Sequence, residues 1–229
     1  MRVIGLIPAR GGSKGISRKN LRKLGGLSLV TRAVLVAAEV LPRADIFVST
    51  EDPEIAACSG PAQVLKRPAE LAQDDTPMVD VVRHAIKALD VAPMGIFVLL
   101  QPSSPFRTSG RIREALEVLR WGWTDSVVSV RAIPAQFHPS YSWSIVGGGP
   151  NRQMRAQEFP LPACRQSLEP RYVCDGSFYV FYAMNVKRWG NIFGETVAPV
   201  VIPDDESLNL NDASDWQEAE RRVAEMAIA

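Results

Sequence analysis

Short apolar runs alternate along this chain with longer stretches whose apolar positions recur at helical spacing. The runs at residues 3–7, 46–50, 64–65, 96–100 and 126–130 predict strands, and 96–100 is the most apolar, as a central strand would be. Between them, residues 29–40, 79–89 and 109–119 predict helices. The first opens near Ser28 and closes before Pro42. Asp52-Pro53-Glu54 opens a short helix with acids in its first turn, where the macrodipole favours them. Later come an alternating strand at 176–181, a last strand at 200–202 and a closing helix at 212–227. This β-α alternation predicts an α/β fold, a mainly parallel sheet with helices on both faces. In such sheets the ligand site lies at the carboxyl ends of the strands.

Residues 132–174 break the pattern. They are rich in proline and aromatics and carry Gly147-Gly148-Gly149-Pro150. Their composition predicts hairpins and loops outside the main sheet. A disordered linker is the alternative, against which Phe137, Tyr141, Trp143 and Phe159 argue. The expected organisation is one domain over 1–229 with 132–174 inserted as a small lobe.

Composition narrows the partners. The chain has 229 residues and a net charge of +1, so no global field draws it to nucleic acid or membrane. No apolar run approaches the roughly 20 residues that span a bilayer, and Met1-Arg2 leads directly into a strand without a signal peptide. Cys58, Cys164 and Cys174 are odd in number and scattered, which fits reduced thiols and a cytoplasmic location. No CxxC or HExxH spacing suggests zinc.

The positive charge is local. After the first strand, Pro8-Ala9-Arg10-Gly11-Gly12-Ser13-Lys14-Gly15 runs on to Arg18-Lys19-Asn20. Glycines admit close backbone approach, and successive backbone N–H groups form an anion-binding concavity. Arg10, Lys14, Arg18 and Lys19 can neutralise several phosphate charges. The segment is neither a P-loop, because Lys14 sits between Ser13 and Gly15, nor a dinucleotide fingerprint, because Gly11-Gly12 breaks the spacing. It predicts a nucleoside triphosphate pocket; a basic surface turn is the plainer alternative.

This loop resembles the signature of the acylneuraminate cytidylyltransferases, the CMP-sialic acid synthetases and their relatives. Two further segments carry the resemblance along nearly the whole chain. They are Arg67-Pro68-Ala69-Glu70-Leu71-Ala72 and Gln101-Pro102-Ser103-Ser104-Pro105-Phe106-Arg107-Thr108. The resemblance implies a Rossmann-like nucleotidyltransferase fold, with a lobe that makes a homodimer. It implies transfer of CMP from CTP to an acidic acceptor, with Mg²⁺ (or Mn²⁺) and release of pyrophosphate. It implies Arg10, Lys14 and Lys19 on the phosphates, with Ala9, Gly11, Gly12, Ser13, Gly15, Asn20 and Arg67 around the nucleotide. Gln101, Ser103, Ser104, Arg165 and Tyr179 would face the acceptor, with Phe193 as a further wall. His138, in a His-Pro pair, reads as structural, and Asp80 as a solvated helix residue.

The chain departs from the family on the acceptor and metal side. Where the family carries two aspartates for magnesium, this chain has Asn209 and Asn211, followed by Asp212. An amide oxygen can ligate Mg²⁺ but supplies no charge. The expected metal group is therefore Asn209, Asn211 and Asp212, with Asp215 or Asp175 as further acids. Val173 stands where sialate enzymes carry an arginine, and Tyr141-Ser142 where some place a lysine. These departures point to an acceptor other than ordinary sialic acid. A catalytically silent nucleotide-binding protein and a transferase using another nucleotide remain as competing readings.

Overall fold

The computed structural model describes residues 1–156 and 168–226. Eleven strands and six α-helices are present among them. Seven strands form one sheet: β1 (Val3–Pro8), β4 (Ile46–Thr50), β5 (Gln63–Lys66), β6 (Ile96–Leu99), β7 (Ser126–Ala132), β10 (Tyr172–Tyr182) and β11 (Val197–Val201). Their order is β11-β7-β10-β6-β1-β4-β5, so the most apolar run, β6, is the middle strand. All neighbours run parallel except at β10, which is antiparallel to both β6 and β7. Alternation along β10 reads alike in either direction, so its orientation emerges only from the register.

The helices cover both faces. On one, α1 (Leu29–Ala38), α2 (Pro53–Ala57) and α4 (Ser109–Arg120) pack on Ile7, Val48, Val98 and Val180. On the other, α3 (Met78–Ala88) and α5 (Met184–Trp189) pack on Leu6, Phe97, Leu99 and Phe181. Alternate residues of β1 and β6 therefore enter different cores, as a strand's period of two requires. Each fully buried Leu, Ile, Val or Phe is worth about 1.5–3 kcal/mol. Local signals set the helix starts. The Ser28 hydroxyl accepts from Thr31 N at 3.1 Å, and Asp52 Oδ1 accepts from Glu54 N and Ile55 N at 2.8 and 3.1 Å.

A third cluster joins the ends of the chain. Trp216 of α6 (Ala213–Met226) is buried with Ile16, Leu24, Leu29, Phe106 and Leu210. The Arg22 guanidinium lies 4.2 Å from the Trp216 ring centre. A small hairpin, β2 (Lys23–Leu24) with β3 (Leu27–Ser28), links the phosphate-loop region to α1.

In the excursion, β8 (Trp143–Val146) pairs antiparallel with β9 (Gln153–Ala156). This hairpin lies outside the main sheet, as expected. The excursion is shorter than 132–174, because β7 runs to Ala132 and β10 begins at Tyr172. Phe159, Cys164 and Arg165 lie outside the described residues. No described helix is long and apolar enough to cross a membrane.

Candidate active site

The carboxyl ends of β1 and β6 open into a cleft of about 360 Å³. It is lined by Arg10, Gly12, Ser13, Lys14, Gly15, Lys19, Asn20, Arg67, Gln101, Ser103 and Asn211, together with Pro8, Met78 and Pro102. The phosphate loop, the Arg-Pro segment and the Gln-Pro-Ser-Ser segment, far apart in sequence, therefore meet in one place.

The first loop is closed from within. The Ser13 hydroxyl donates to the Ile16 carbonyl and accepts from Lys19 N at 3.1 Å. The Asn20 amide, nearly buried, donates to the Arg10 carbonyl at 2.9 Å. Lys19 Nζ donates to the Leu210 carbonyl at 2.7 Å. Burial holds the Lys19 pKa below its ordinary value, and the nearby Arg10 charge adds to that, against a smaller opposing pull from Asp215. Gly15 packs against the far end of the chain: a Cβ there would lie 1.9 Å from the Asn211 carbonyl oxygen. Gly12 faces open space.

Two cations of the loop share one carboxylate. Asp74 Oδ1 lies 2.6 Å from Arg10 Nη1, and Asp74 Oδ2 lies 2.7 Å from Lys14 Nζ. Both cations hold the Asp74 pKa below its usual value, chiefly through the hydrogen bond from Lys14. The same pair of oxygens on one centre is what a phosphate would present to them.

Arg67 is buried and fixed. Its Nε donates to Ser49 Oγ at 3.0 Å and its Nη2 to the Ser49 carbonyl at 2.6 Å. Burial pushes its pKa down to about 10, with Glu51 opposing. The Gln101–Ser104 loop is held from beneath by a residue to which the sequence assigned no role. Arg107 is buried, and its Nε and Nη2 donate to the Ser104 carbonyl at 2.9 and 2.8 Å. Nη2 also donates to the Gln101 carbonyl. Burial lowers the Arg107 pKa to about 9, with Asp175 opposing. Its place in the motif, one residue after Phe106, was the available signal.

Several expected residues are not brought to the cleft. Ala9 is fully buried in the core and contributes its N–H to the Ser49 carbonyl at 3.0 Å. Gly11 turns its N–H to Glu51 Oε1 at 2.7 Å, and its Cα lies against Asp52. Arg18 adopts a left-handed conformation and pairs with Asp52 and Glu54 instead of lining the cleft. Ser104 is buried beneath the loop with an unpartnered hydroxyl. Tyr179 lines an adjoining apolar cavity with Met78, Gln101 and Phe193, and its ring meets Phe193 edge-on at 6.0 Å. His138 is structural, as its sequence context suggested. Its Nδ1 accepts from Ser140 N at 3.2 Å, so Nε2 carries the proton and donates to the Glu169 carbonyl at 2.9 Å. Asp80 pairs with Arg83 on the surface of α3.

The residues of the expected metal group make local hydrogen bonds. Asp212 Oδ1 accepts from Ser214 N, Ser214 Oγ and Asp215 N, at 2.9, 2.6 and 3.1 Å. Asp215 Oδ2 in turn accepts from Asp212 N at 3.2 Å and Asn211 N at 2.7 Å. This reciprocal capping box starts α6 and engages one oxygen of each carboxylate. The Asn211 amide donates to the Asn209 carbonyl at 3.3 Å. Asn209 Oδ1 is buried without a partner, a single neutral oxygen. Among the described residues, no group of three or more His, Cys, Asp or Glu could hold a metal ion. Asn209 and Asn211 offer neutral oxygens, whereas a hard divalent cation prefers charged ones.

Comparison with known proteins agrees with this geometry. A CMP-N,N'-diacetyllegionaminic acid synthase of Legionella pneumophila is 31% identical, over 96% of each chain. The post-translational flagellin modification protein B of Campylobacter coli is 26% identical, over 96% of this chain and 94% of that protein. An N-acylneuraminate cytidylyltransferase of Streptococcus agalactiae is 29% identical, over 94% of this chain and 52% of that protein. In fold, the chain matches a CMP:2-keto-3-deoxy-manno-octonic acid synthetase solved with CTP, at a TM-score of 0.69 and 15% identity. That match covers 99% of this chain and all of the other. The family model described as Cytidylyltransferase matches residues 4–134, the span that carries the phosphate loop, Arg67 and the Gln101 loop. With more than half of its length inside that match, the chain belongs to the cytidylyltransferase family.

Proposed function

We propose that this cytidylyltransferase transfers CMP from CTP to a hydroxyl of an acidic sugar. The observation that carries this reading is the convergence of Arg10, Lys14, Lys19, Asn20 and Arg67 with Gln101 in one cleft at the carboxyl edge of the sheet. The relatives that span nearly the same length, one of them a CMP-N,N'-diacetyllegionaminic acid synthase, support an acidic nine-carbon sugar as the acceptor class.

In this reaction the acceptor oxygen forms a bond to the α-phosphorus as the bond to pyrophosphate breaks. Pyrophosphate leaves, and the hydroxyl proton passes to water. The chain's part is positioning and charge. Arg10 and Lys14 exchange Asp74 for phosphate oxygens. Lys19, pinned by the Leu210 carbonyl, adds a third charge with donors to spare. Arg67 and Asn20, both held by backbone partners, stand as rigid walls on the nucleoside side. Gln101 and Ser103 face the acceptor, and Tyr179 with Phe193 wall the adjoining cavity. Magnesium would enter with CTP, as the counter-ion of its phosphates.

We propose also that the protein is a homodimer through the excursion. Trp143 and Ile145 of β8 and Met154 of β9 are 44%, 69% and 64% exposed. Ile145 pairs with Met154, so these side chains share one face of the hairpin, an apolar surface that a second copy would cover. A cytoplasmic location follows from the need for CTP and fits the free thiols of Cys58 and Cys174.

The test is pyrophosphate release from CTP, UTP and GTP against a panel of acidic sugars that includes N-acetylneuraminic and N,N'-diacetyllegionaminic acids. Release that requires CTP and one acid is the expected result. CTP binding without release across the panel would leave a silent nucleotide-binding protein and overturn the proposal.

A further inference from the structure

Leu210 stands between the two loops of the cleft, and its backbone is bonded to both. Its carbonyl accepts from Lys19 Nζ at 2.7 Å, and its N–H donates to the Ser103 carbonyl at 2.8 Å. The first bond reaches the phosphate loop, the second the Gln101–Ser104 loop. β11 ends at Val201 and α6 begins at Ala213, so Leu210 lies in neither a strand nor a helix. Both of its backbone polar groups are satisfied by the walls of the cleft and not by a regular element.

The side chain repeats the connection. Leu210 is fully buried in the third core cluster, with Ile16 from the phosphate loop and Phe106 from the segment after Ser104. Trp216, in the first turn of α6, closes that cluster, and the capping box ahead of it fixes where the helix starts. The flanking asparagines press on the same walls. The Asn211 carbonyl oxygen lies 1.9 Å, and the Asn209 amide nitrogen 2.8 Å, from where a Cβ on Gly15 and on Gly176 would stand. Glycine at both places permits this approach.

In the transferase reading above, Lys19 holds the triphosphate and Ser103 faces the acceptor. In-line transfer needs the acceptor oxygen and the α-phosphorus aligned to well within about 1 Å. Two loops anchored to separate elements would carry independent errors, whereas one shared residue gives them a common reference.

We propose that Leu210 is a positioning residue for the transfer: it fixes the phosphate loop and the acceptor loop against each other and so sets the approach of the acceptor oxygen to the α-phosphorus. The use made of this bridge rests on the transferase reading; the bridge itself does not.

The experiment compares wild type with Leu210→Ala, which withdraws the side chain, and Leu210→Met, which keeps its volume. A third protein carries an ester in place of the 209–210 amide, made by incorporating leucic acid at position 210, and loses only the N–H donor. Leu119→Ala, fully buried in the core under α4, is the control for stability alone. Two sets of quantities are read: kcat with KM for CTP and for N,N'-diacetyllegionaminic acid in pyrophosphate release, and amide hydrogen exchange over residues 12–19 and 101–104 without ligand. Leu210→Ala should lower kcat by about 10- to 100-fold and speed exchange in both segments. Leu210→Met should stay within about threefold in kcat. The ester should raise the acceptor KM by about 3- to 10-fold, the scale of one hydrogen bond, and speed exchange over 101–104, with KM for CTP within about twofold. Leu119→Ala should melt earlier with kcat and both segments as in wild type. Leu210→Ala with kcat within threefold of wild type, or with only one segment loosened, overturns the proposal. So does a Leu119→Ala protein that matches it in kcat and in both segments. Should Leu210→Ala not fold, an ester protein with unchanged acceptor KM and unchanged exchange over 101–104 overturns it. A wild type that releases no pyrophosphate, while Leu210→Ala still loosens both segments together, overturns the transferase reading and leaves the bridge standing.

Discussion

Replacing Gly15 with alanine gives the sharpest test of how the phosphate loop is held. The added Cβ would sit 1.9 Å from the Asn211 carbonyl oxygen, whereas ordinary contacts begin near 3.4 Å. Either the loop or the Asn211 backbone must therefore retreat by roughly 1.5 Å, since neither side of the contact is a flexible side-chain end. Lys14 is the preceding residue, and Lys19 is fixed to the Leu210 carbonyl, so the displacement reaches both phosphate-binding cations. A misplacement of about 1 Å costs on the order of 100-fold in rate, or about 2.7 kcal/mol. Overpacking adds about 1–3 kcal/mol of lost stability, which lowers Tm by roughly 2–12 °C in a chain of this size. The assay is kcat/KM for CTP in pyrophosphate release, with thermal melting alongside. Gly12→Ala is the control. Its Cβ meets nothing within 4 Å, so melting should not change, although KM for CTP should rise if phosphate packs on that backbone. A Gly15→Ala protein within threefold of wild type in rate, or a Gly12→Ala protein that melts as early as Gly15→Ala, would refute the reasoning.

Three further outcomes follow from the charges. Lys14→Ala should raise the barrier to pyrophosphate release by about 2–4 kcal/mol, the scale of one lost transition-state donor, measured as kcat at saturating CTP. Asp74→Ala should lower KM for CTP by about two- to fivefold, because the carboxylate that competes for Arg10 and Lys14 is gone. A rise in that KM would mean that Asp74 positions the cations and does not compete for them. Lys19 must be charged to bind phosphate, and its pKa is lowered by burial and by Arg10. CTP affinity is therefore full below that lowered pKa and is lost as pH rises through it, earlier than an ordinary lysine would allow. Lys19→Arg should extend affinity to higher pH, read as KM for CTP across the alkaline range.

Much of this architecture is visible in the apolar pattern. The strands β1 and β6 are nearly continuous apolar runs because both faces are covered. The six-residue helix α5 was missed, since only Asn185 and Val186 in it are buried and no period can show. The site is legible in outline because glycine, proline and cations mark the two loops directly. Its details depend on contacts between distant segments. Ser103 and Ser104 are neighbours in sequence, yet the turn sends one to the cleft and the other beneath it. Asp212 illustrates two signals in competition. Asp212-x-x-Asp215 is a capping pattern at a helix start, and the cap forms at the same residue to which the resemblance assigns a metal role. The hold of Asp74 on Arg10 and Lys14 left no mark in the sequence.

Lys19 reaches across 191 positions of the chain to the Leu210 carbonyl, and Gly15 rests on Asn211. During synthesis on the ribosome, the phosphate loop emerges well before Leu210 and lacks this wall until the segment before α6 has left the exit tunnel. Nascent chains therefore have no competent nucleotide pocket until that segment has emerged. CTP, by binding only the finished arrangement, would act as a late ligand that draws newly made protein into its native state.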